Sequence, residues 1–382
     1  MRSSTGGGMS EQDDGILRVC RPLLPRAQAL LPWLERIDAS RHYTNRGPLV
    51  TELEARLTAH LGLPSHALRT ASSGTAAIEV AILAHAGVAR ADRPLALIPA
   101  FTFAATALAA ERCGYRPWLV DVDPENWAAD PAALAAHPRL DQAGLIVAVA
   151  PYGRAPDMQA WVALQTRTGV PVVIDAAASF AAVGPATVSA QVPVTLSFHA
   201  TKAFSTGEGG AVLWDDPAGQ DRVEQVANFG FWRSRAARVA GTNAKMSEYH
   251  AAIGLAMLTD LPARAAEEAR VTTLYARAVA GLSLGGRLIL PPGVSPAYAL
   301  FMADTPAGMA RAEAHLHADL VETRCWYETG LQAQPHFARC GQDDLAVTAD
   351  LGARLLGLPM APDMTPACVA RVIAPLVAAA AD

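Results

Sequence analysis

One lysine of this chain stands where its side-chain amine could act as a nucleophile. Lys202 lies in a turn rich in Ser, Thr and Gly, between an apolar strand predicted over 192–196 and a second over 211–214. A lysine held between two buried strands can be partly desolvated, which favours the neutral amine that attacks carbonyl carbons. Taken alone, a lysine in a polar loop is usually a surface residue. Its role therefore depends on the residues that the fold brings near it.

A second segment could bind phosphate. Ser72-Ser73-Gly74-Thr75 precedes a helix rich in Ala, Ile and Leu that we predict from 76 to 85. The free N–H groups at the start of that helix, its dipole and the Thr75 hydroxyl would together form an anion site. The same sequence also fits an ordinary Ser/Thr N-cap, which is the commoner use of these residues.

A carboxylate and two aromatic rings follow other predicted strands. Asp175 ends the apolar strand 172–175, where a buried carboxylate is costly unless it is paired with a cation such as a protonated pyridine nitrogen. It would equally well cap the next helix. Phe101 and Phe103 lie in the turn after strand 95–98, where a ring can stack on a planar ligand or belong to the core.

The order of the predicted elements brings these residues together. Apolar strands alternate with helices, and this pattern predicts a mostly parallel sheet covered on both faces; the strands are predicted over 67–70, 95–98, 118–122, 145–149 and 172–175. Ligands bind at the carboxyl ends of such strands, and Ser73, Phe103, Asp175 and Ser197 lie at or just past those ends. An amine, a buried carboxylate, a phosphate site and an aromatic ring are what pyridoxal phosphate requires.

The chain divides into a tail and two predicted domains. Its 382 residues suggest two domains by length. Residues 1–14 are Gly/Ser-rich and then acidic, without the basic and apolar regions of a signal peptide, and we predict a disordered tail there. Residues 15–260 form the predicted large domain, and residues 261–382 a smaller C-terminal domain with helices and a few short strands.

Composition excludes several classes of protein. The sequence is 51% hydrophobic and 18% charged, as in soluble globular proteins, and its net charge of -5 argues against a nucleic-acid partner. No apolar run is long enough for a membrane span. The five cysteines form no CxxC pair, so we expect neither disulfides nor a metal site, and a reducing cytoplasm fits.

The motifs resemble those of a known family in the same order along the chain. From about residue 43 to residue 359 the sequence is similar to the DegT/DnrJ/EryC1/StrS sugar aminotransferases; the matching motifs include Ser-Ser-Gly-Thr-Ala-Ala77, Pro-Ala-Phe-Thr-Phe-Ala-Ala-Thr106, Asp-Ala-Ala177, Ser-Phe-His-Ala-Thr-Lys202, Glu-Gly-Gly210 and Thr-Arg-Cys-Trp-Tyr327. The resemblance implies the α/β fold type I of pyridoxal-phosphate enzymes. In that fold a mostly parallel, seven-stranded sheet lies between helices in the large domain, and the small domain is α+β.

The resemblance also implies roles for single residues. Lys202 would form the Schiff base with pyridoxal 5′-phosphate, Asp175 would pair with its ring nitrogen and Phe103 would stack on its ring. Gly74, Thr75 and Ser197 would hold the phosphate group. Asn243 would reach the phosphate of the neighbouring subunit, which implies a homodimer whose active sites are shared across the interface.

The implied reaction is transfer of an amino group from L-glutamate to a keto group of a dTDP-, UDP- or GDP-linked deoxysugar. Such products serve surface polysaccharides or glycosylated metabolites. Three positions depart from the family pattern: Ala178 replaces Gln or His, Gln332 replaces the His of Pro-Leu-His, and Lys245 replaces Arg. A different reaction on the same cofactor, such as sugar dehydration, is an alternative, although Lys202 argues against dehydration because dehydrating members carry His there. A non-catalytic regulatory protein with this fold is the third interpretation.

Overall fold

The computed structural model describes residues 15–382, and the predicted tail 1–14 lies outside the described residues. The helices are α1 (Ala27–Ser40), α2 (Pro48–His60), α3 (Gly74–His85), α4 (Ala104–Arg112), α5 (Pro131–Ala135), α6 (Met158–Thr168), α7 (Pro217–Ala227), α8 (Glu248–Ala278), α9 (Pro306–Ala318), α10 (Ala346–Arg354) and α11 (Pro366–Ala381). The strands are β1 (Leu68–Ala71), β2 (Leu95–Pro99), β3 (Arg116–Val120), β4 (Ala143–Val149), β5 (Val172–Asp175), β6 (Val194–Ser197), β7 (Gly210–Leu213), β8 (Gly286–Ile289), β9 (Ala299–Ala303), β10 (Gly341–Gln342) and β11 (Leu355–Leu358).

A mostly parallel sheet forms the centre of the larger part of the molecule. In the described residues it has eight strands in the order β1-β7-β6-β5-β4-β2-β3-β10. Only β7 runs antiparallel to its neighbours, β1 and β6. The prediction of an α/β fold with a mostly parallel sheet is confirmed. The two-residue strand β10 comes from the C-terminal part of the chain and adds an eighth strand beside β3.

The middle of the sheet is buried on both faces because its central strands are apolar along most of their length. Along β4, Leu145 and Val147 pack into one core, whereas Ile146 and Ala148 pack into the other. Successive side chains of a strand point to opposite faces, so a strand covered on both sides needs apolar residues throughout. The carboxyl ends of the parallel strands thus meet at one edge of a rigid layer.

The C-terminal part has its own smaller sheet and core. Strands β11, β9 and β8 form an antiparallel sheet in that order. Helices α9 and α11 and the second half of α8 pack with it around a third apolar cluster, which includes Tyr275, Phe301 and Leu376. This part supplies a second wall over the edge of the large sheet.

Several predicted elements differ from the observed ones at an end, most of them by one or two residues, and two of the differences have a clear structural cause. Strand β3 ends at Val120 rather than at residue 122, because the Asp121 carboxylate turns away to accept the backbone N–H groups of Val347 and Thr348 at the start of α10. The amphipathic pattern of helix α8 predicts an end near residue 261, but the helix continues through Pro262 to Ala278. The proline is exposed, so water can reach the carbonyl that loses its hydrogen bond, and packing against α1, α2 and α11 holds the helix on either side.

The division at residue 260/261 stays a prediction, and the two predicted domains share the continuous helix α8. Within residues 15–382, no helix combines the length and the apolar character that a membrane crossing requires.

Candidate active site

A cavity of about 760 Å³ opens at the carboxyl ends of the strands of the large sheet. Six of the seven residues predicted to form the site line it: Gly74, Thr75, Phe103, Asp175, Ser197 and Lys202. They come from four separate stretches of sequence, which the parallel strands deliver to one edge. The seventh, Asn243, is not among the lining residues.

Lys202 is presented by the turn between β6 and β7, and backbone hydrogen bonds fix that turn. Phe198 N–H donates to Gly209 O at 2.8 Å, and Ala200 N–H donates to Gly207 O at 2.9 Å. Gly207 has a φ of 82°, a value that favours glycine. The lysine is half-buried at the cavity wall, so its amine is both accessible to a ligand and held in place.

Asp175, at the end of β5, is buried with 6% of its surface exposed. The Thr106 hydroxyl donates to its Oδ2 at 2.7 Å, and Ala177 N–H donates to its Oδ1 at 3.0 Å. Burial raises the pKa of Asp175, while the two hydrogen bonds and the charge of Lys202 lower it to a smaller extent. The carboxylate therefore has hydrogen-bond donors but, in the described part of the chain, no cation in contact, and it lies on the cavity wall.

The N-terminus of α3 and Ser197 form a cradle on another wall. The Ser73 side chain caps the helix by accepting Ala76 N–H at 3.1 Å, so the N-cap interpretation of this segment holds for Ser73. The N–H groups of Gly74 and Thr75 follow at helix positions that have no intrahelical partner. A Cβ at Gly74 would lie 2.6 Å from Ser197 Cβ, so only glycine lets the helix start come this close to β6. These groups suit an anion.

The two phenylalanines of the turn after β2 have different surroundings. Phe103 is 60% exposed although it is a large apolar side chain, and it lines the cavity. Phe101 is 1% exposed and packs edge-on against Tyr327, with ring centroids 5.1 Å apart. Phe103 is thus free to stack on a planar ligand, and Phe101 belongs to the core.

The C-terminal part closes the cavity with residues to which the sequence motifs gave no role. Tyr298, Arg324, Trp326 and Tyr327 line it, and Lys202 Nζ donates to Tyr298 Oη at 3.1 Å. Burial raises the pKa of Tyr327 above its usual range. Arg324 and Tyr327 could have been found from the Thr-Arg-Cys-Trp-Tyr327 motif, whereas Tyr298 lies in no motif that we recognised.

The positions that depart from the family pattern have three different environments. Ala178 lines the cavity with a methyl group and offers no side-chain hydrogen bond. Gln332 does not line it, and its Nε2 donates to Thr329 O at 2.6 Å. Lys245 Nζ donates to Asn243 Oδ1 at 2.6 Å and lies 4.4 Å from the centre of the Phe229 ring.

Comparisons with known proteins give relatives over nearly the whole chain. Protein Rv3402c of Mycobacterium tuberculosis is 32% identical over 367 residues, which cover 93% of this chain and 88% of the relative. A UDP-2-acetamido-2-deoxy-3-oxo-D-glucuronate aminotransferase of Pseudomonas aeruginosa is 29% identical over 335 residues, 86% of this chain and 90% of the relative. The solved structure of DesI, determined in the presence of its TDP-sugar product, superposes with a TM-score of 0.84 at 29% identity and covers 96% of this chain and 93% of DesI.

The family assignment rests on a match that spans the large sheet, the cavity and the C-terminal part. The model of the DegT/DnrJ/EryC1/StrS aminotransferase family matches residues 27–377. That range includes the Lys202 turn, the start of α3 and Asp175. The chain therefore belongs to the DegT/DnrJ/EryC1/StrS aminotransferase family.

Proposed function

We propose that the protein transfers an amino group from L-glutamate to a keto group of a nucleotide-linked deoxysugar. Pyridoxal 5′-phosphate is the cofactor, and Lys202 is the residue that joins it. Family membership supports amino transfer. The sugar nucleotide is supported by the Pseudomonas relative, whose name gives a UDP-sugar substrate, and by DesI with its TDP-sugar product. The products of such reactions serve surface polysaccharides or glycosylated metabolites.

The observation that carries this proposal is the buried carboxylate of Asp175 on the wall that Lys202 also lines. Burying a carboxylate without a cation in contact is unfavourable, and the hydrogen bonds from Thr106 and Ala177 offset only part of that cost. A protonated ring nitrogen is a cation that fits there. The residues present therefore suit pyridoxal phosphate.

The remaining walls match the other parts of the cofactor. Gly74, Thr75 and Ser197 would hold the phosphate group, because the helix start and the hydroxyls favour an anion. Phe103 would cover the flat face of the ring. When bound, pyridoxal phosphate supplies an aldehyde for amines and a ring that withdraws electrons from the carbon next to the bound amine.

The chain itself contributes proton transfer and electrostatic tuning. With pyridoxal phosphate bound, the freed Nζ of Lys202 would take a proton from the donor α-carbon as general base and, as general acid, would deliver it to the cofactor carbon that carries the transferred nitrogen. Asp175 keeps the ring nitrogen protonated. The rings of Phe101 and Tyr152 pack against Tyr327, which lines the cavity, and restrict the access of water to the reacting groups.

Arg324 gives the cavity a cation on the side of the C-terminal part. It is a half-exposed lining residue, held beside Glu322 at 3.4 Å and lying over the Trp326 ring at 5.3 Å. A guanidinium in this place suits the carboxylate of glutamate or the phosphates of a nucleotide. Its position supports anionic substrates for both halves of the reaction.

A homodimer with shared sites is part of the proposal. Asn243 does not line the cavity of its own chain, as expected of a residue that serves the neighbouring subunit. Exposed aromatic side chains lie in the surrounding segments: Phe229 is 46% exposed, and Tyr43 and Tyr249 are both exposed and stack on each other. Such side chains on a surface commonly mark an interface.

The five cysteines are unpaired, which supports a cytoplasmic enzyme.

Absorbance spectra test the proposal. Purified protein mixed with pyridoxal phosphate should give a band at the edge of the visible range, and added L-glutamate should move it to the near ultraviolet. Lys202→Ala should abolish turnover, because no other lysine lines the cavity in the described residues. A band that glutamate leaves unchanged would contradict L-glutamate as the donor. The absence of a band would contradict the Lys202 assignment and favour a non-catalytic protein.

The acceptor reaction needs a separate assay. Candidate dTDP-, UDP- and GDP-linked keto-sugars are incubated with glutamate and the protein that carries pyridoxal phosphate. Mass spectrometry then measures the masses of the products. Transamination replaces the keto oxygen with NH₂ and H, whereas dehydration removes water. A product lighter by one water would therefore assign the protein to dehydration instead.

A further inference from the structure

The amine of Lys202 has one hydrogen-bond partner that comes from a distant part of the chain. Lys202 Nζ donates to Tyr298 Oη at 3.1 Å, and Nζ lies 5.8 Å from the centre of that ring. Among residues 15–382, no carboxylate lies within 4.0 Å of this amine. The tyrosine is therefore the polar side chain that determines where the amine points.

Tyr298 is itself fixed in place. Only 7% of its surface is exposed, and its backbone N–H donates to Ser295 O at 2.9 Å. Its ring meets those of Tyr152 and Trp326 edge-on, at centroid distances of 5.5 and 5.4 Å. A ring held by two aromatic neighbours has little freedom, so its hydroxyl occupies a defined point above the Lys202 turn.

A hydroxyl suits this amine in both of its protonation states. It accepts a hydrogen bond from the ammonium and donates one to the free amine, so the contact persists while Lys202 gains and loses its proton. Ala178, on the same cavity, carries only a methyl group and cannot take this role. The hydroxyl of Tyr327, the other tyrosine on the cavity wall, accepts Tyr152 N–H at 3.3 Å instead.

We propose that Tyr298 is a positioning residue for Lys202, holding its amine toward the cavity both before the cofactor joins and after the donor displaces the lysine. The assignment rests on the proposed function, because it concerns how Lys202 takes up pyridoxal phosphate. It adds a residue from the C-terminal part, one position before strand β9, to the predicted cavity residues, all of which come from the part of the chain that forms the large sheet. An amine that must first be oriented reacts more slowly.

The test compares two variants that each lose one buried hydroxyl. Tyr298→Phe removes the contact with Lys202, and Tyr275→Phe removes a hydroxyl that donates to Pro359 O at 2.6 Å in the C-terminal core, away from the cavity. The rate at which pyridoxal phosphate joins the protein is followed by absorbance after rapid mixing. Borohydride reduction and peptide mass spectrometry then locate the attachment at Lys202.

We expect Tyr298→Phe to slow attachment about 10-fold, the effect of losing one hydrogen bond to a charged group, and Tyr275→Phe to leave the rate unchanged. With L-glutamate, the limiting rate of the first half-reaction should fall by a similar factor, while the half-saturating glutamate concentration changes less than about twofold. Thermal unfolding of both variants shows whether the two substitutions change the thermal stability by the same amount.

The outcomes separate this assignment from the proposed function. If the unaltered protein does not join pyridoxal phosphate at Lys202, the proposed function fails and the role of Tyr298 fails with it. If the unaltered protein is labelled at Lys202 and Tyr298→Phe is labelled at the same rate, with the same spectrum, only the positioning role is overturned. Equal slowing in both variants would show a general loss of stability and would also overturn it.

Discussion

Asp175 shows how single residues set the electrostatics of the cavity. Its two oxygens accept hydrogen bonds from Thr106 and Ala177, and Thr106 in turn contacts the Thr102 hydroxyl at 2.9 Å. This chain of donors holds the carboxylate in one orientation at the end of β5. Because burial raises its pKa, the charged form is less favourable here than in water, and a cation bound beside it would stabilise that form.

Replacing Asp175 with asparagine tests this balance. In the cofactor-free protein the folded state keeps a proton on Asp175 to higher pH than the unfolded state does, so its contribution to stability falls as the pH rises from its ordinary pKa through the raised one. The amide of the substituted side chain would accept Ala177 N–H and donate to the Thr106 hydroxyl. We therefore expect Asp175→Asn to be as stable as the parent at neutral pH without cofactor, and to gain less thermal stability from pyridoxal phosphate.

Transamination by Asp175→Asn should fall at least about 100-fold, because the ring nitrogen loses its anionic partner. Asp157→Asn is the matched control, since Asp157 caps α6 away from the cavity and accepts Ala160 N–H at 3.1 Å. Differential scanning fluorimetry with and without cofactor measures the gain in thermal stability, and product assays measure the transamination rate. A full cofactor-dependent stability gain in Asp175→Asn would contradict the pairing.

For single residues, the sequence predicts those that lie at strand ends, and it misses those that hold the predicted residues in place. Gly74, Phe103, Asp175 and Ser197 reach the cavity because parallel strands share one edge, and this follows from the alternation of elements. Thr106 is visible in a motif, but its bond to Asp175 depends on how α4 packs. Tyr298 reaches Lys202 only because two separate sheets dock, which no local pattern encodes.

Among the elements, α3 shows how close packing builds an anion site. Its first residue, Gly74, lies against Ser197 of β6, and a Cβ there would come within 2.6 Å of Ser197 Cβ and 2.8 Å of its Oγ. Neither the helix nor the strand can move easily, because α3 is packed against the buried sheet on its inner face. The distance between the helix start and Ser197 thus depends on the absence of a side chain.

Gly74→Ala should disturb both packing and cofactor binding. We expect a loss of about 1–3 kcal/mol in the free energy of unfolding, typical of overpacking, and an affinity for pyridoxal phosphate about 10-fold lower. Gly184→Ala is the control, because a Cβ at Gly184 would meet only Leu61 O, at 3.9 Å. Urea unfolding and cofactor titration measure the two effects, and an unchanged affinity would show that this helix start does not hold the phosphate.

Element ends are predicted less well than element types, for physical reasons. The pattern that starts at Trp118 predicts a strand to Val122, but β3 ends before Asp121. The Asp121 side chain caps α10, which lies more than 200 residues later in the chain. In α8, Pro262 is a helix breaker by its own propensity, yet packing on both sides keeps the helix continuous. In each case a distant contact outweighs the local signal.

For the whole molecule, the proposed homodimer makes a prediction about shared sites. If Asn243 serves the neighbouring subunit, Lys202→Ala and Asn243→Ala subunits lack different parts of each site. A hybrid dimer then contains one site with both residues intact and one site with neither.

Each variant alone should be inactive, because every site of its homodimer lacks one of the two residues, and mixing the two variants should restore activity. Random exchange makes half of the dimers hybrids, each with one intact site of two, so we expect about a quarter of the parent activity. Light scattering after gel filtration checks that dimers form, and two different affinity tags isolate the hybrid. A purified hybrid without activity would show that Asn243 serves its own chain.

The turn that carries Lys202 has a consequence for how the protein can vary in length. Loops on a protein surface commonly tolerate inserted or deleted residues. Residues 198–209, however, join β6 to β7, and all four residues of β7 are buried and paired on both sides, with β6 and with β1. A single added or lost residue in this turn that shifted the pairing would send each side chain of β7 to the opposite face of the sheet. The segment has the composition of a loop and the length constraint of a core strand.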